Sequence, residues 1–192
     1  MTAETQNNTR TTFLESITTR RWRITWGYVA ALLLIVLAEP NRISLSLGIP
    51  MVLFGEAIRV VANGTLVKDK ELTDWGLYAH IRHPLYVGSM MIGTGFIIMA
   101  WNTYLLIFTA VFFVVIYRRT IRGEELKLEG YYEEKYRQWA QSTARFFPRR
   151  WALKEISGHF IFKRAWSNRE YDAVLGVLAG IVILYLKYLF FR

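Results

Sequence analysis

The sequence predicts an all-α protein, a polytopic membrane helical bundle of about five transmembrane helices, and three observations predict it. Of its 192 residues, 53% are hydrophobic and only 20% are charged. The apolar residues gather in long runs rather than at amphipathic spacing. Several runs approach the roughly 20 residues, at about 1.5 Å rise each, that a hydrocarbon core of about 30 Å requires. Lys and Arg stand beside those runs: four precede the first, three lie between Gly64 and His83, and thirteen lie from Arg118 to Arg169, 20 of 24 in all.

Residues 1–22 are polar, rich in Thr and Asn, and hold no apolar run of signal-peptide type, so they read as a flexible cytosolic tail. The first span runs from about Ile24 to Ala38, with Trp22 and Trp26 as interfacial anchors, and Glu39-Pro40-Asn41-Arg42 breaks it. The second runs from about Ile43 to Ala62 and stops at Asn63-Gly64. The third, Leu85 to Ala100, follows Pro84, whose missing N–H has no intrahelical partner in a first turn. Trp101-Asn102-Thr103 turns the chain into a fourth span, Tyr104 to Tyr117, and the last is Tyr171 to about Phe190.

The segment 118–170 is too polar to span and too long for a turn. Arg118 to Trp139 has helical spacing and extends the fourth span into the cytosol. Residues 151–164 mix aromatic and basic side chains, as a helix lying among lipid headgroups does. The positive-inside rule then puts the N-terminus and both long loops on the cytoplasmic side, and five crossings leave the C-terminus outside.

The formal charge of +9 flanks apolar spans, so it points to a membrane surface and not to nucleic acid. With no cysteine, the chain has no disulfide, no thiolate nucleophile and no cysteine-held metal. His80, His83 and His159 do not form an H-E-x-x-H pair, so no metal site is expected. No C-terminal prenylation box is present. Gly93-Thr94-Gly95 lies inside an apolar run and reads as small residues for close helix packing. Glu56 and Arg59, at i,i+3 in the second span, are either functional or a structural ion pair facing the bundle.

Two polar clusters remain. Thr73 to Gly88 reads Thr-Asp-Trp-Gly-Leu-Tyr-Ala-His-Ile-Arg-His-Pro-Leu-Tyr-Val-Gly and leads straight into a span. Singly, Arg82, His83, Tyr78 and Tyr86 fit a basic flank and an aromatic belt; together they are costly to hold near lipid without a role. The amides that open the third span favour an anionic group at the same place. The second cluster, Arg118, Arg119, Arg122, Glu124 and Glu125, occupies two helical turns, with Arg118 and Arg122 on one face and Arg122 in reach of Glu125.

Gly76-x-Tyr78, then Arg82-His83-Pro84-x-Tyr86-x-Gly88, a pair of spans, Glu124-Glu125 and finally Tyr136 resemble the isoprenylcysteine carboxyl methyltransferase and phospholipid methyltransferase superfamily. The resemblance covers roughly residues 43–148, and with the first span it defines a methyltransferase membrane core over 23–148. Residues 149–192 then form a basic interfacial segment and an additional helix.

The resemblance implies a transferase with S-adenosylmethionine in a pocket on the cytoplasmic face and a lipidic acceptor entering from a cytoplasmic or endoplasmic-reticulum-type membrane. Carried over, the cofactor-binding positions are Asn63, Lys70, Glu71, Leu72, Thr73, Tyr78, His83, Pro84, Leu85, Tyr86 and Glu124. In that role Glu124 accepts from ribose hydroxyls or an ammonium, and the tyrosine faces favour a sulfonium. Arg119 and Glu125 are the catalytic candidates. The family's substrate-holding arginine stands four residues before the first glutamate of the pair, where this chain has Thr120. Two further readings compete: a nicotinamide-dependent membrane reductase related to sterol reductases, and a scaffold that kept the fold without the activity. The partners expected are a lipid-soluble acceptor and membrane lipids, with no nucleic acid.

Overall fold

The computed structural model describes residues 20–68, 71–148, 156 and 159–191. Among these the protein is helical throughout, with one isolated bridge, Ile81 with Ala144, and no strand. It divides into two compact units, 1–37 and 38–192. The first unit's described part is helix α1, Arg20–Leu37, whose Ala-Ala-Leu-Leu-Leu-Ile-Val run matches the first expected span. The tail before residue 20 lies outside the described residues.

The second unit holds α2 (Arg42–Thr65), α3 (Pro84–Ala100), α4 (Thr103–Ser142), the short α5 (Phe162–Ser167) and α6 (Glu170–Phe190). Asn41 caps α2 in a reciprocal box: its Oδ1 accepts from Ser44 N and Ser44 Oγ accepts from its own N, each at 2.9 Å. Glu39 N donates to Ala100 O at 2.7 Å, tying the start of α2 to the end of α3. Trp101, in the left-handed region at φ 51°, ends α3, and Asn102 caps α4 through the amides of Tyr104 and Leu105.

Helix α2 runs on past the expected stop at Asn63-Gly64 to Thr65. Gly64 serves a different end: a Cβ there would collide with the Phe160 ring, so its bare face seats that side chain. Small residues also bring α2 and α3 together. A Cβ on Gly55 would lie 2.7 Å from Gly88 O and one on Gly88 2.6 Å from Gly55 O; Gly48 and Gly95 repeat the relation seven residues away, at 2.6 and 2.9 Å. Backbone thus meets backbone along this pair, as membrane helices pack when lipid gives no hydrophobic drive between them. The packing expected of Gly93-Thr94-Gly95 falls on Gly95.

Two helices, α2 and α6, are long and apolar enough among the described residues to cross a membrane, and α3 is a shorter apolar helix. Only 33% and 11% of their most apolar stretches are buried, far less than the core helix of a soluble protein would hide.

Helix α4 does not extend straight into the solvent. Glu133 takes φ 42° and ψ −113°, which breaks the helix and turns its last ten residues back. Tyr136 and Trp139 then pack with Ala62, Leu72, Leu77 and Tyr78, and Trp139 Nε1 donates to Tyr78 O at 3.1 Å. Half of the basic stretch 151–164, residues 151–155, 157 and 158, lies outside the described residues. Helix α5 docks on the end of α2 through both of its capping residues: Ile161 N donates to Gly64 O at 3.0 Å and Asn168 Nδ2 to Asn63 O at 2.9 Å.

Candidate functional site

The stretch before α3 is held by a 3₁₀ turn, Gly76–Ala79. Gly76 sits at φ 61°, where an L side chain is strained, and a Cβ there would come 2.7 Å from Thr65 Cγ2. His80 Nδ1 pairs with Gly76 O at 3.0 Å across the same turn. The next residues lie beside the segment after α4: Arg82 N donates to Ala144 O at 2.8 Å and His83 N to Arg145 O at 3.2 Å. Two stretches some sixty residues apart thereby share one short ladder, which aims Arg82, His83 and Arg145 at α4.

Glu125 is what they meet. Its Oε1 accepts from Arg82 Nη1 at 3.0 Å, His83 Nε2 at 3.2 Å and Arg145 Nε at 3.1 Å, and its Oε2 accepts from Arg145 Nη2 at 2.7 Å. The Arg145 contact is the bidentate fork that a planar guanidinium makes with a carboxylate. Burial pushes the Glu125 carboxyl up, but the bonds from His83 and Arg145 and the charges of Arg145 and Arg82 outweigh it, so it titrates below the ordinary range. Burial drives His83 the other way from protonation, against the pull of Glu125 and Glu124, and its pKa is lowered. A carboxylate can only accept, so the neutral His83 ring carries its hydrogen on Nε2. Arg122, in helical reach of Glu125, makes no hydrogen bond or ion pair with it.

A cavity of about 870 Å³ opens beside this knot between α3, α4 and the residues after α4. Arg82, Glu125, Tyr136 and Arg145 form its polar end, while Met90, Val114 and Ile121 form part of its apolar wall. Arg118 and Arg122 line it one turn apart. Arg119 is exposed and not among the lining residues.

The candidate cofactor positions fall into groups. Tyr86 stands edge-on to both His83 and Tyr117, with ring centres 5.7 and 5.2 Å away, and Pro84 is the buried first residue of α3. Leu72 and Tyr78 belong to the cluster that Tyr136 and Trp139 complete, and Leu85 packs against it. Buried Thr73 accepts from Val67 N at 3.1 Å, and Glu71 is exposed. Glu124 is exposed, yet its charge bears on both Tyr78 and His83. Asn63 is turned to the other side, where its Nδ2 donates to Glu170 Oε2 at 2.6 Å. Lys70 lies outside the described residues.

Two buried donors at this site are unmatched. The Tyr78 hydroxyl and Arg82 Nε have no hydrogen-bond partner among the described residues. Burial first, then Glu124 and Glu170, hold the Tyr78 phenol far above its ordinary pKa, so it stays a neutral donor. Arg145 and Phe146, whose ring lies 6.2 Å from that of His83, escaped the reading of the sequence. No local motif marks them, because only the break at Glu133 brings them to the site.

Against descriptions of known protein families, residues 31–130 match the isoprenylcysteine carboxyl methyltransferase (ICMT) family, over half of the chain. The match spans Gly76 to Gly88 and the Glu124-Glu125 pair, and ends before Tyr136 and Arg145. Comparison with the curated proteins and with the solved structures finds no match.

Proposed function

The chain belongs to the isoprenylcysteine carboxyl methyltransferase family, a membrane methyltransferase family, and from that premise we propose that it moves a methyl group from S-adenosylmethionine to a lipid-soluble acceptor. The observation that carries the proposal is Arg82 Nε, a buried donor of the Glu125 knot with no hydrogen-bond partner among the described residues, together with the buried and unmatched Tyr78 Oη, on which the charge of Glu124 bears. A buried polar group without a partner costs about 1–3 kcal/mol, and a ligand bearing carboxylate and hydroxyl oxygens satisfies both.

S-adenosylmethionine supplies, when bound, a methyl group already activated by a sulfonium. The chain's own residues bind and orient. Tyr78 and Arg82 donate, Glu124 accepts from hydroxyl or ammonium groups, and the rings of Tyr78 and Tyr86 favour positive charge. Leu72, Thr73, Leu85 and Pro84 exclude water around them. His83 and Glu125 hold Arg82 and Arg145 in register, which makes Glu125 a positioning residue in this reading.

The acceptor enters the cavity along Met90 and Val114. An amine or hydroxyl acceptor must lose a proton to a base, and Glu125, already saturated with donors and shifted down, is a poor base. A carboxylate acceptor needs only a clamp. Arg118 and Arg122 line the cavity on either side of Thr120 and have no ion-pair partner among the described residues, so they take that role in place of the arginine the family carries there.

The same reading has five crossings, with the N-terminus, both long loops and the cavity on the cytoplasmic side. Calorimetric titration of the purified protein with S-adenosylhomocysteine tests it. Binding by the wild type, with affinity reduced at least about tenfold, or about 1.4 kcal/mol, in Glu124→Ala, is expected. No binding by the intact protein, or equal binding by the two, overturns it.

A further inference from the structure

A second buried polar cluster lies between α2, α3 and α6, apart from the Glu125 knot. Arg59 is its hub. Its Nη1 donates to Ser89 Oγ at 2.6 Å, its Nη2 donates to Glu170 Oε2 at 3.0 Å, and its Nε lies 2.9 Å from Glu170 Oε1 as an ion pair outside hydrogen-bond alignment. Asn63 gives Glu170 Oε2 a further bond. Glu56 is left over. It is 7% exposed, and among the described residues neither of its oxygens has a hydrogen-bond partner and its nearest cation contact is Arg59 Nε at 3.9 Å.

Two carboxylates therefore share one guanidinium, and with both ionised the cluster is one positive charge short. Glu56 does not face solid packing. It lines a cavity of about 350 Å³, with Arg59 and Ser89 beside it and Ile92, Phe96 and Val177 as apolar walls. An ionised carboxylate held this way within apolar helices is costly unless something covers it.

We propose that this cavity binds a primary ammonium group carried on an apolar chain, with Glu56 as its counter-ion. The charge deficit is one, which matches a monocation. The unmatched atoms are acceptors, so the ligand must bring N–H donors, which a primary ammonium has and a quaternary ammonium lacks. A metal ion does not suit the site: Ser89 Oγ and Glu170 are committed to Arg59, and Glu56 alone is too few oxygens. The apolar walls take the hydrocarbon next to the nitrogen, and the Phe96 face favours the charge. The ammonium is either the head of an ethanolamine-type phospholipid or a free alkylamine.

Two measurements on the full chain separate these sources. In nanodiscs of equal phosphatidylethanolamine and phosphatidylcholine, the lipid that stays with the extracted protein is quantified by mass spectrometry. In detergent, thermal protection by n-octylamine is recorded. Retention of ethanolamine lipid over choline lipid by about tenfold in the wild type, falling to near parity in Glu56→Gln, is expected for the lipid source. Octylamine protection lost in Glu56→Gln, without lipid preference, identifies the free amine. Gly176→Leu supplies a second variant. Gly176 lines the cavity and a Cβ there meets nothing within 4 Å, so a leucine has room to enter the space while the Glu56 carboxylate is retained, and it should abolish the same preference. Both variants are checked for an unchanged affinity for S-adenosylhomocysteine, so that failure here is distinct from failure of the methyltransferase reading. Equal retention of both lipids with no octylamine protection overturns the proposal, as does a preference that survives in both variants; either result leaves Glu56 a protonated structural acid.

Discussion

The two buried carboxylate clusters of this protein have opposite stoichiometry. At the start of α3 one carboxylate, Glu125, collects two guanidiniums and an imidazole. Between α2 and α6 two carboxylates, Glu56 and Glu170, divide one guanidinium. Both sets are assembled from segments distant in sequence, yet only the first closes its hydrogen-bonding needs at the acid. The difference teaches where each cluster is open. Around Glu125 the acid is saturated and the unmatched group is a donor, Arg82 Nε. Around Arg59 the unmatched groups are acceptors, both Glu56 oxygens and Glu170 Oε1. One region is therefore built to receive acceptors and the other to receive a donor.

The strongest way to break this contrast is to remove the charge at its centre. Glu125→Gln keeps the shape but turns an acceptor oxygen into an NH₂ group facing guanidiniums. With Glu125 only partly buried, a loss of about 2–3 kcal/mol is expected, below the range for fully buried pairs. Thermal unfolding in detergent should show it as a fall of several degrees. An unchanged midpoint would mean that the knot holds nothing together.

The same substitution on the other side should behave differently. Glu170→Gln removes the main partner of Arg59 and should cost about 1–2 kcal/mol. Glu56→Gln removes a buried carboxylate with no hydrogen bond, so in ligand-free detergent it should not destabilise the fold and should raise stability by up to about 1–3 kcal/mol. If Glu56→Gln proves as costly as Glu170→Gln, Glu56 is already satisfied and the contrast fails.

How much of this was legible in the sequence depends on how local each feature is. Pro84 opening α3, the break at Glu39-Pro40-Asn41-Arg42, the apolar runs and the Arg-His-Pro stretch depend on neighbours within a few residues, and each was readable. Gly88 was readable as part of a motif, but its packing against Gly55 depends on how two helices cross. The Glu56 and Arg59 pair was visible at i,i+3, whereas the dominant partner of Arg59, Glu170, lies 111 residues away. Arg145 was beyond reach for the same reason, since a non-glycine residue at φ 42° has no sequence signature. The expected partner of Glu125, Arg122, was the sequence neighbour; the partners it has were brought by the fold.

Acid should distinguish the two halves of the Glu125 knot. Burial lowers the pKa of His83, so below about pH 6.5 the unfolded chain binds a proton that the folded ring does not. Glu125 is lowered too, so its contribution is whole above its ordinary pKa and is lost as pH falls through that range. Both shifts have the same sign: stability should decline as pH drops from 7, first by the His83 step and then by the Glu125 step. Each proton accounts for at most about 1.4 kcal/mol per pH unit. His83→Gln should flatten the upper step and leave the lower one, and an upper step unaltered in that variant would assign it to another group.

Arg145→Lys probes the fork itself and should have the smallest effect. The side chain is 57% exposed, so water and salt screen its charge, and lysine restores that charge without the planar pair of N–H groups. A loss of about 0.5 kcal/mol is expected, shrinking further above about 0.5 M salt. The informative quantity is how Arg145→Lys combines with Glu125→Gln. If the arginine acts on stability through the carboxylate, the double variant should cost no more than Glu125→Gln alone, because the partner of the fork is already gone. Additive costs would instead mean that Arg145 stabilises the fold through the backbone pairing of its segment with Arg82 and His83, and the side-chain fork would be incidental to it.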